Sequence, residues 1–322
     1  CTLLFVFTAL AQKKVIPDTS YYETFPDKLT TRVYLSQKFL KFAIPPSGKQ
    51  TDIEYKANTK MNLGIGITYH NISANLFYGF AFLNKDTAKG KTKGLDLQLH
   101  VYPRRWAIDI TALLPQDYYN FQRGYASSNP NLYYYRPDIQ VKLFGISAYQ
   151  VPNKEKFSYR AAITQNEWQK KSAGSLLYGG NIYYGSVRGD SALVPKSIQS
   201  AFPQRGIDNL NFIAIGPGIG YAYTLVIDKH FFITASTVAN IDMTLTSEDG
   251  TDGKHRKFGV DPSVVAKAGI GYNSPTWSIG VNGLGSALWA KGHASSNNYY
   301  LPAGNIKLIL SRKFNVKKHE KS

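Results

Sequence analysis

The residues best placed to do chemistry fall on one polar face. Asp96, Gln98 and His100 alternate with Leu95, Leu97 and Leu99. After the break Pro103-Arg104-Arg105, Asp109 and Thr111 alternate with Ile108, Ile110 and Ala112. Two runs of period two joined by a few residues make a β-hairpin with one apolar and one polar face. Folding about Pro103-Arg104 brings Asp109 opposite Gln98 to His100. Lys142, beside Gln140 on a strand expected nearby, adds a cation. A buried His–Asp pair can move protons. The same group can instead be a charge network that satisfies a narrow lumen, because buried charges need partners. The second reading is preferred, so Asp96, Gln98, His100, Asp109, Thr111 and Lys142 form a lumen polar cluster and no residue is assigned a catalytic role.

Other chemistry finds less support. The histidines at 70, 100, 230, 255, 293 and 319 are scattered, and no Gly-x-Ser-x-Gly occurs. No spaced His/Cys cluster suggests a metal, and no cofactor is implied. Glu248, Asp249 and Asp252 with Gly250 and Gly253 could form a calcium loop. Lys254, His255 and Arg256 follow directly and oppose it, so an acidic turn is the better reading. Arg188-Gly189-Asp190 is read as a chance adhesion tripeptide.

A second stretch departs from the rhythm. Asn166, Glu167, Trp168, Gln169, Lys170 and Lys171 do not alternate cleanly. They suit a plug of the lumen, a partner contact through Trp168 and Lys170/Lys171, or a cap on the barrel floor.

The elements that must hold these groups repeat the hairpin pattern along most of the chain. Met61, Leu63, Ile65 and Ile67 share a face against Asn62, Gly64, Gly66 and Thr68. Similar runs recur at 31–44, 72–82, 139–151, 175–187, 210–223, 230–245, 264–272, 277–289 and 303–314. Alternating strands of this length, with glycine on the polar face, predict an all-β transmembrane antiparallel barrel of about 12 strands. Short turns near His70, Pro103, Pro152, Asp228 and Ser274-Pro275 alternate with longer loops. This places both termini on the periplasmic side, provided that 152–173 is a periplasmic or inward-folded excursion. The barrel is expected over 31–316, after an extended lead-in at 12–30 and before a basic tail at 317–322.

Composition agrees. Aromatic residues make up 14%, with 23 Tyr against 4 Trp, as membrane-interface rings would require. Mean hydropathy is −0.27, and no run of about 18 apolar residues occurs, which excludes transmembrane helices. The net charge of +17 is spread without a basic helix or stacking motif, which argues against nucleic acid. Lipid phosphates, an anion-attracting lumen or solvated loops account for it instead. Cys1 is the only cysteine, so no internal disulfide forms. Residues 1–11 read as the remainder of a signal peptide, with small residues at Ala9 and Ala11 and cleavage before Gln12.

Several motifs agree in order with one family. Tyr21-Tyr22-Glu23-Thr24-Phe25-Pro26-Asp27-Lys28-Leu29-Thr30, Asn62-Leu63-Gly64-Ile65-Gly66, Tyr78-Gly79-Phe80, Gly90-Lys91-Thr92-Lys93-Gly94-Leu95-Asp96 and Asn166-Glu167-Trp168-Gln169-Lys170-Lys171-Ser172-Ala173-Gly174-Ser175 resemble the Bacteroidota proteins grouped as domain of unknown function 4421. The resemblance runs from about Tyr21 to Phe314. It implies an exported, barrel-like outer-membrane protein of a Gram-negative bacterium, and carries no activity or site residues. The expected role is a structural or accessory envelope component in contact with outer-membrane lipid, lipopolysaccharide and an envelope protein partner. A narrow anion-preferring channel is the alternative, and an outer-membrane enzyme the second.

Overall fold

The computed structural model describes residues 16–69, 72–78 and 88–316. The expected leader (1–11) and tail (317–322) lie outside the described residues, as do the turn at 70–71 and residues 79–87. The strands are β1 (Tyr22–Thr24), β2 (Lys28–Ile44), β3 (Ile53–Ala57), β4 (Met61–Tyr69), β5 (Ile72–Tyr78), β6 (Lys93–Val101), β7 (Trp106–Asn120) and β8 (Tyr135–Gln150). They continue with β9 (Glu167–Gln169), β10 (Ala173–Arg188), β11 (Ile207–Ile227), β12 (Phe231–Gly250), β13 (Gly253–Asn273), β14 (Trp277–Lys291) and β15 (Asn298–Asn315).

Ten of these close an antiparallel ring in the order β2, β3, β7, β8, β10, β11, β12, β13, β14, β15, with β15 pairing back onto β2. The sequence leads to about 12 strands because 72–82 and the first arm of the hairpin count there as staves; in the structure these are β5 and β6, which lie off the closed ring. The run 53–69, one strand by its pattern, breaks at 58–60, where Gln37 Nε2 donates to Thr59 O at 2.9 Å. Above the break, β3 pairs with Lys41–Ile44 of β2 and bridges to β7. Below it, β4 pairs with Thr30–Gln37 of β2 and carries β5, while β6 hangs on β7. The wall is therefore a ten-strand ring at one end, with β4, β5 and β6 inserted beneath β3 at the other.

Alternation along each strand sets which side chains face in, and the polarity is inverted relative to a soluble protein. On β12, Thr234, Ser236, Asn240, Asp242, Thr244, Thr246 and Glu248 are buried, while Ile233, Ile241, Met243 and Leu245 stand exposed. Outward rings mark the ends of the apolar belt, with Phe258 and Tyr272 at opposite ends of its stretch on β13. Fourteen steps of about 3.4 Å, tilted by about 40°, give a height of about 36 Å. That matches a hydrocarbon core of about 30 Å with part of its interfaces.

The lumen is filled. At the long-loop end, Leu40, Phe42, Ile139, Val141, Leu143, Phe212 and Leu288 point inward onto Leu193, Val194 and Phe202. Those three come from residues 189–206, which fold into the mouth, and Tyr55 OH donates to Leu193 O at 2.7 Å. At the short-turn end, the excursion after β8 folds inward. Its π-helical turn Arg160–Thr164 buries Ala161, Ala162 and Ile163. Asn282 Nδ2 donates to Ile163 O at 2.8 Å, and Asn273 Nδ2 to Ala161 O at 3.1 Å.

Two sequence expectations are corrected here. Lys142 is exposed on the outer wall, between the buried Val141 and Leu143. Its strand is apolar on both faces, and at this height the lumen holds an apolar loop, so the aliphatic face turns in. The acidic turn expected from Glu248 is narrower than the sequence suggests: Glu248 and Asp249 are strand, and the hairpin turns only at Thr251 and Asp252. Glu248 Oε2 accepts from the amides of His293 (2.7 Å) and Ala294 (2.9 Å), so it braces a neighbouring loop.

Candidate functional site

The lumen cluster assembles on the inner faces of β6 and β7. Asp96, Gln98 and His100 alternate inward on β6, and the cross-strand register sets His100 against Asp109 and Gln98 against Thr111. His100 Nδ1 lies 2.8 Å from Asp109 Oδ1, and Tyr102 OH donates to the same oxygen at 3.1 Å. Asp109 Oδ2 faces Lys267 Nζ at 2.6 Å. Asp96 pairs with Lys38 of β2 at 3.0 Å, and Asn305 of β15 donates to Gln98. Lys142 takes no part. The cation that completes the cluster is Lys267 of β13.

Lys267 is also held by rings. Its Nζ lies 5.1 Å from the Tyr102 centroid and 4.9 Å from that of Tyr159, and the two rings stack at 5.4 Å. Tyr159 belongs to the inward excursion and shares a 2.6 Å hydrogen bond with Ser236 of β12. A cavity of ≈ 30 Å³ remains beside His100, Thr111, Ser147, Tyr183 and Lys267. That volume holds a water or two. The Tyr183 ring lies over Gly145, where any Cβ would stand 2.1 Å from it. Chemically the cluster is a neutralised brace. Asp109 meets Lys267 and His100 in one network, and among the described residues His100 Nε2 has no hydrogen-bond partner.

The excursion is pinned by a second cluster. Glu167, 2% exposed, accepts a two-pronged bond from Arg104, 2.8 Å at Oε1 and 3.1 Å at Oε2. Arg160 approaches at 3.5 Å, and Ser158 Oγ donates to Oε2. Arg104 also donates to Tyr22 OH at 2.9 Å, and Tyr22 OH donates to Lys154 O at 2.8 Å. β1 pairs with β9, Tyr22 opposite Gln169 and Thr24 opposite Glu167, so the lead-in is stitched to the plug. Burial pushes the Tyr22 hydroxyl up to about 12. Burial likewise lowers the Arg160 guanidinium from its ordinary value, with Glu167 pulling it back up.

The stretch 166–171 therefore divides. Glu167 and Gln169 are buried and hold the plug; Gln169 Nε2 donates to Lys156 O at 2.6 Å, and its Oε1 accepts from the Ser158 amide at 3.0 Å. Trp168 turns to the rim, where its Nε1 donates to Lys229 O at 2.7 Å. It opens a ladder of rings, Trp168 on His230 (5.0 Å), His230 on Tyr272 (5.1 Å) and Tyr272 on Trp277 (4.6 Å). Asn166 bonds Thr164, Lys170 reaches Glu23 at 3.6 Å, and Lys171 is exposed. Sequence reasoning missed Lys267 and Arg104. Lys267 is the one charged residue between Val264 and Tyr272, and that signal would have found it.

These features define a closed all-β barrel with an apolar exterior and a plugged lumen, apolar at the long-loop end and polar around Asp109 and Lys267. The chain belongs to the family described as Domain of unknown function (DUF4421), which it matches over residues 16–309. No curated protein matches it. Among solved structures it is similar to outer-membrane expressed OmpT of Vibrio cholerae, at 8% identity over 91% of this chain and 100% of that one, TM-score 0.30. It is also similar to the P. putida toluene transporter TodX (9%, 92% of each chain, 0.25) and to Ail, the attachment invasion locus protein of Yersinia pestis (8%, 90% and 100%, 0.19).

Proposed function

We propose that the protein is an outer-membrane barrel with a structural or accessory role in the envelope, closed to solute flow. One observation carries this reading. The outer wall is apolar over a membrane-sized height, while the lumen behind it is filled from both ends. Exposed aliphatic side chains in such number have no place in water, and backbone in hydrocarbon must be fully paired, which a barrel achieves. The same requirement bears on β5 and β6, the free edges of the insert below β3. We infer that they pair with each other in the bilayer, which completes about 12 staves at that end.

The short-turn end, with both described chain ends, faces the periplasm in this reading, because outer-membrane barrels carry their short turns there. Lys170 and Lys171 then point toward a periplasmic envelope partner, and the basic long-loop end toward lipopolysaccharide. The filled lumen favours this role over the anion-channel alternative. Single cysteines test the orientation. A membrane-impermeant maleimide on intact cells labels Thr251→Cys, whereas Asp228→Cys reacts only after lysis. The reverse pattern contradicts it.

A further inference from the structure

One cavity stands outside the lumen. A groove of ≈ 720 Å³ runs along the outer wall over β4, β2, β15 and β14. A barrel wall is convex, so a groove needs a cause. Here β4 lies beside β2 beneath β3, and the groove follows the outer face from β4 across β2 and β15 to β14. Val33, Ile65, Ile67 and Leu310 line it, each about half exposed (49%, 59%, 53% and 52%). At one end stand Trp277 and Arg312, cross-strand partners on β14 and β15.

We propose that this groove seats one glycerophospholipid, its acyl chains along the aliphatic wall and its phosphate on Arg312. The proposal rests on the outer-membrane reading above. Its volume lies inside the range of about 300–1,000 Å³ usual for ligand pockets. Arg312 is exposed, and among the described residues no carboxylate pairs with it; its guanidinium stands 5.9 Å from the Phe314 ring centroid. It sits at the height of the Trp168–Trp277 ring ladder, where a bilayer places headgroups. A guanidinium fork matches a phosphate in two bonds. A protein strand is a poorer occupant, because β2, β14 and β15 already spend both edges in the ring. Lipid A, with several phosphates and more chains, would require more cations than this one.

The test is native mass spectrometry of protein extracted from the outer-membrane fraction, delipidated and titrated with dipalmitoyl phosphatidylglycerol. Wild type is expected to retain one lipid. Arg312→Gln weakens binding about tenfold, as loss of a charge-assisted bond implies. Ile67→Trp, which fills the groove, removes the retained lipid. Heat-modifiable gel mobility confirms that each variant is folded. Equal retention by wild type and both folded variants would overturn the proposal, as would no retention by wild type, or displacement of the phosphatidylglycerol by an equimolar amount of added lipid A. A chain absent from the outer-membrane fraction would instead defeat the outer-membrane reading, before the groove is tested.

Discussion

Lys267 Nζ and Asp109 Oδ2 meet 2.6 Å apart across the lumen. Their strands, β13 and β7, lie five places apart in a ring of ten, so the pair spans the barrel's diameter. Both residues are buried, at 5% and 9% exposure. Such a contact braces opposite walls and occupies the space through which a solute would pass.

Breaking that brace on one side leaves a buried charge. Lys267→Ala is expected to destabilise the barrel by about 3–5 kcal/mol, the usual cost of orphaning one member of a buried pair. Lys267→Met combined with Asp109→Asn removes both charges and is expected to cost less than the single change. Urea unfolding in detergent micelles, followed by heat-modifiable mobility, measures both.

The plug depends on Glu167. Glu167→Ala strands Arg104 and Arg160 together and removes the acceptor of Ser158. Opening of 151–172 is expected to become easier by about 3 kcal/mol. Limited trypsin digestion at Lys154, Lys156, Lys170 and Lys171 reads this, with a rate increase of about a hundredfold where cleavage follows the open population. An unchanged digestion pattern would show that the cluster does not hold the plug.

The lead-in responds to alkali. Burial raises the Tyr22 hydroxyl from 10.0 to about 12. A raised folded value means the docked state keeps its proton longer than the released one. The contribution is therefore complete below pH 10 and is lost as pH rises through 12. Cleavage of the N-terminal segment is expected to speed up across that window, and Tyr22→Phe to flatten this part of the profile.

Lys142 supplies a contrast, because it points away from the lumen. Lys142→Ala is expected to change stability by no more than about 0.5 kcal/mol, as for a surface substitution. A loss as large as that of Lys267→Ala would return Lys142 to the lumen.

These two lysines also show where the sequence is legible. Lys267 sits in a strand whose neighbours alternate, Val264, Ala266 and Ala268 outward, so its inward position can be read from spacing. Lys142 sits among Val141, Leu143 and Phe144, which are apolar on both faces, and period two cannot choose between them. The choice is made by Leu193, Val194 and Phe202, a loop some fifty residues later that turns the lumen apolar at that height. The His100–Asp109 juxtaposition was legible because a hairpin is local. Its partner Lys267 lies across the ring, and the closure order that brings it there is not written in either strand. The broken stave at 58–60 escaped notice for the same reason, since Thr59 answers to Gln37.

A lumen filled from both ends carries no ions. Single-channel recording of the purified, heat-modifiable protein in a planar bilayer across a salt gradient reads this, and folded wild type is expected to give no steady current. A steady current, with either ion preference, would contradict the filled lumen and restore the channel reading.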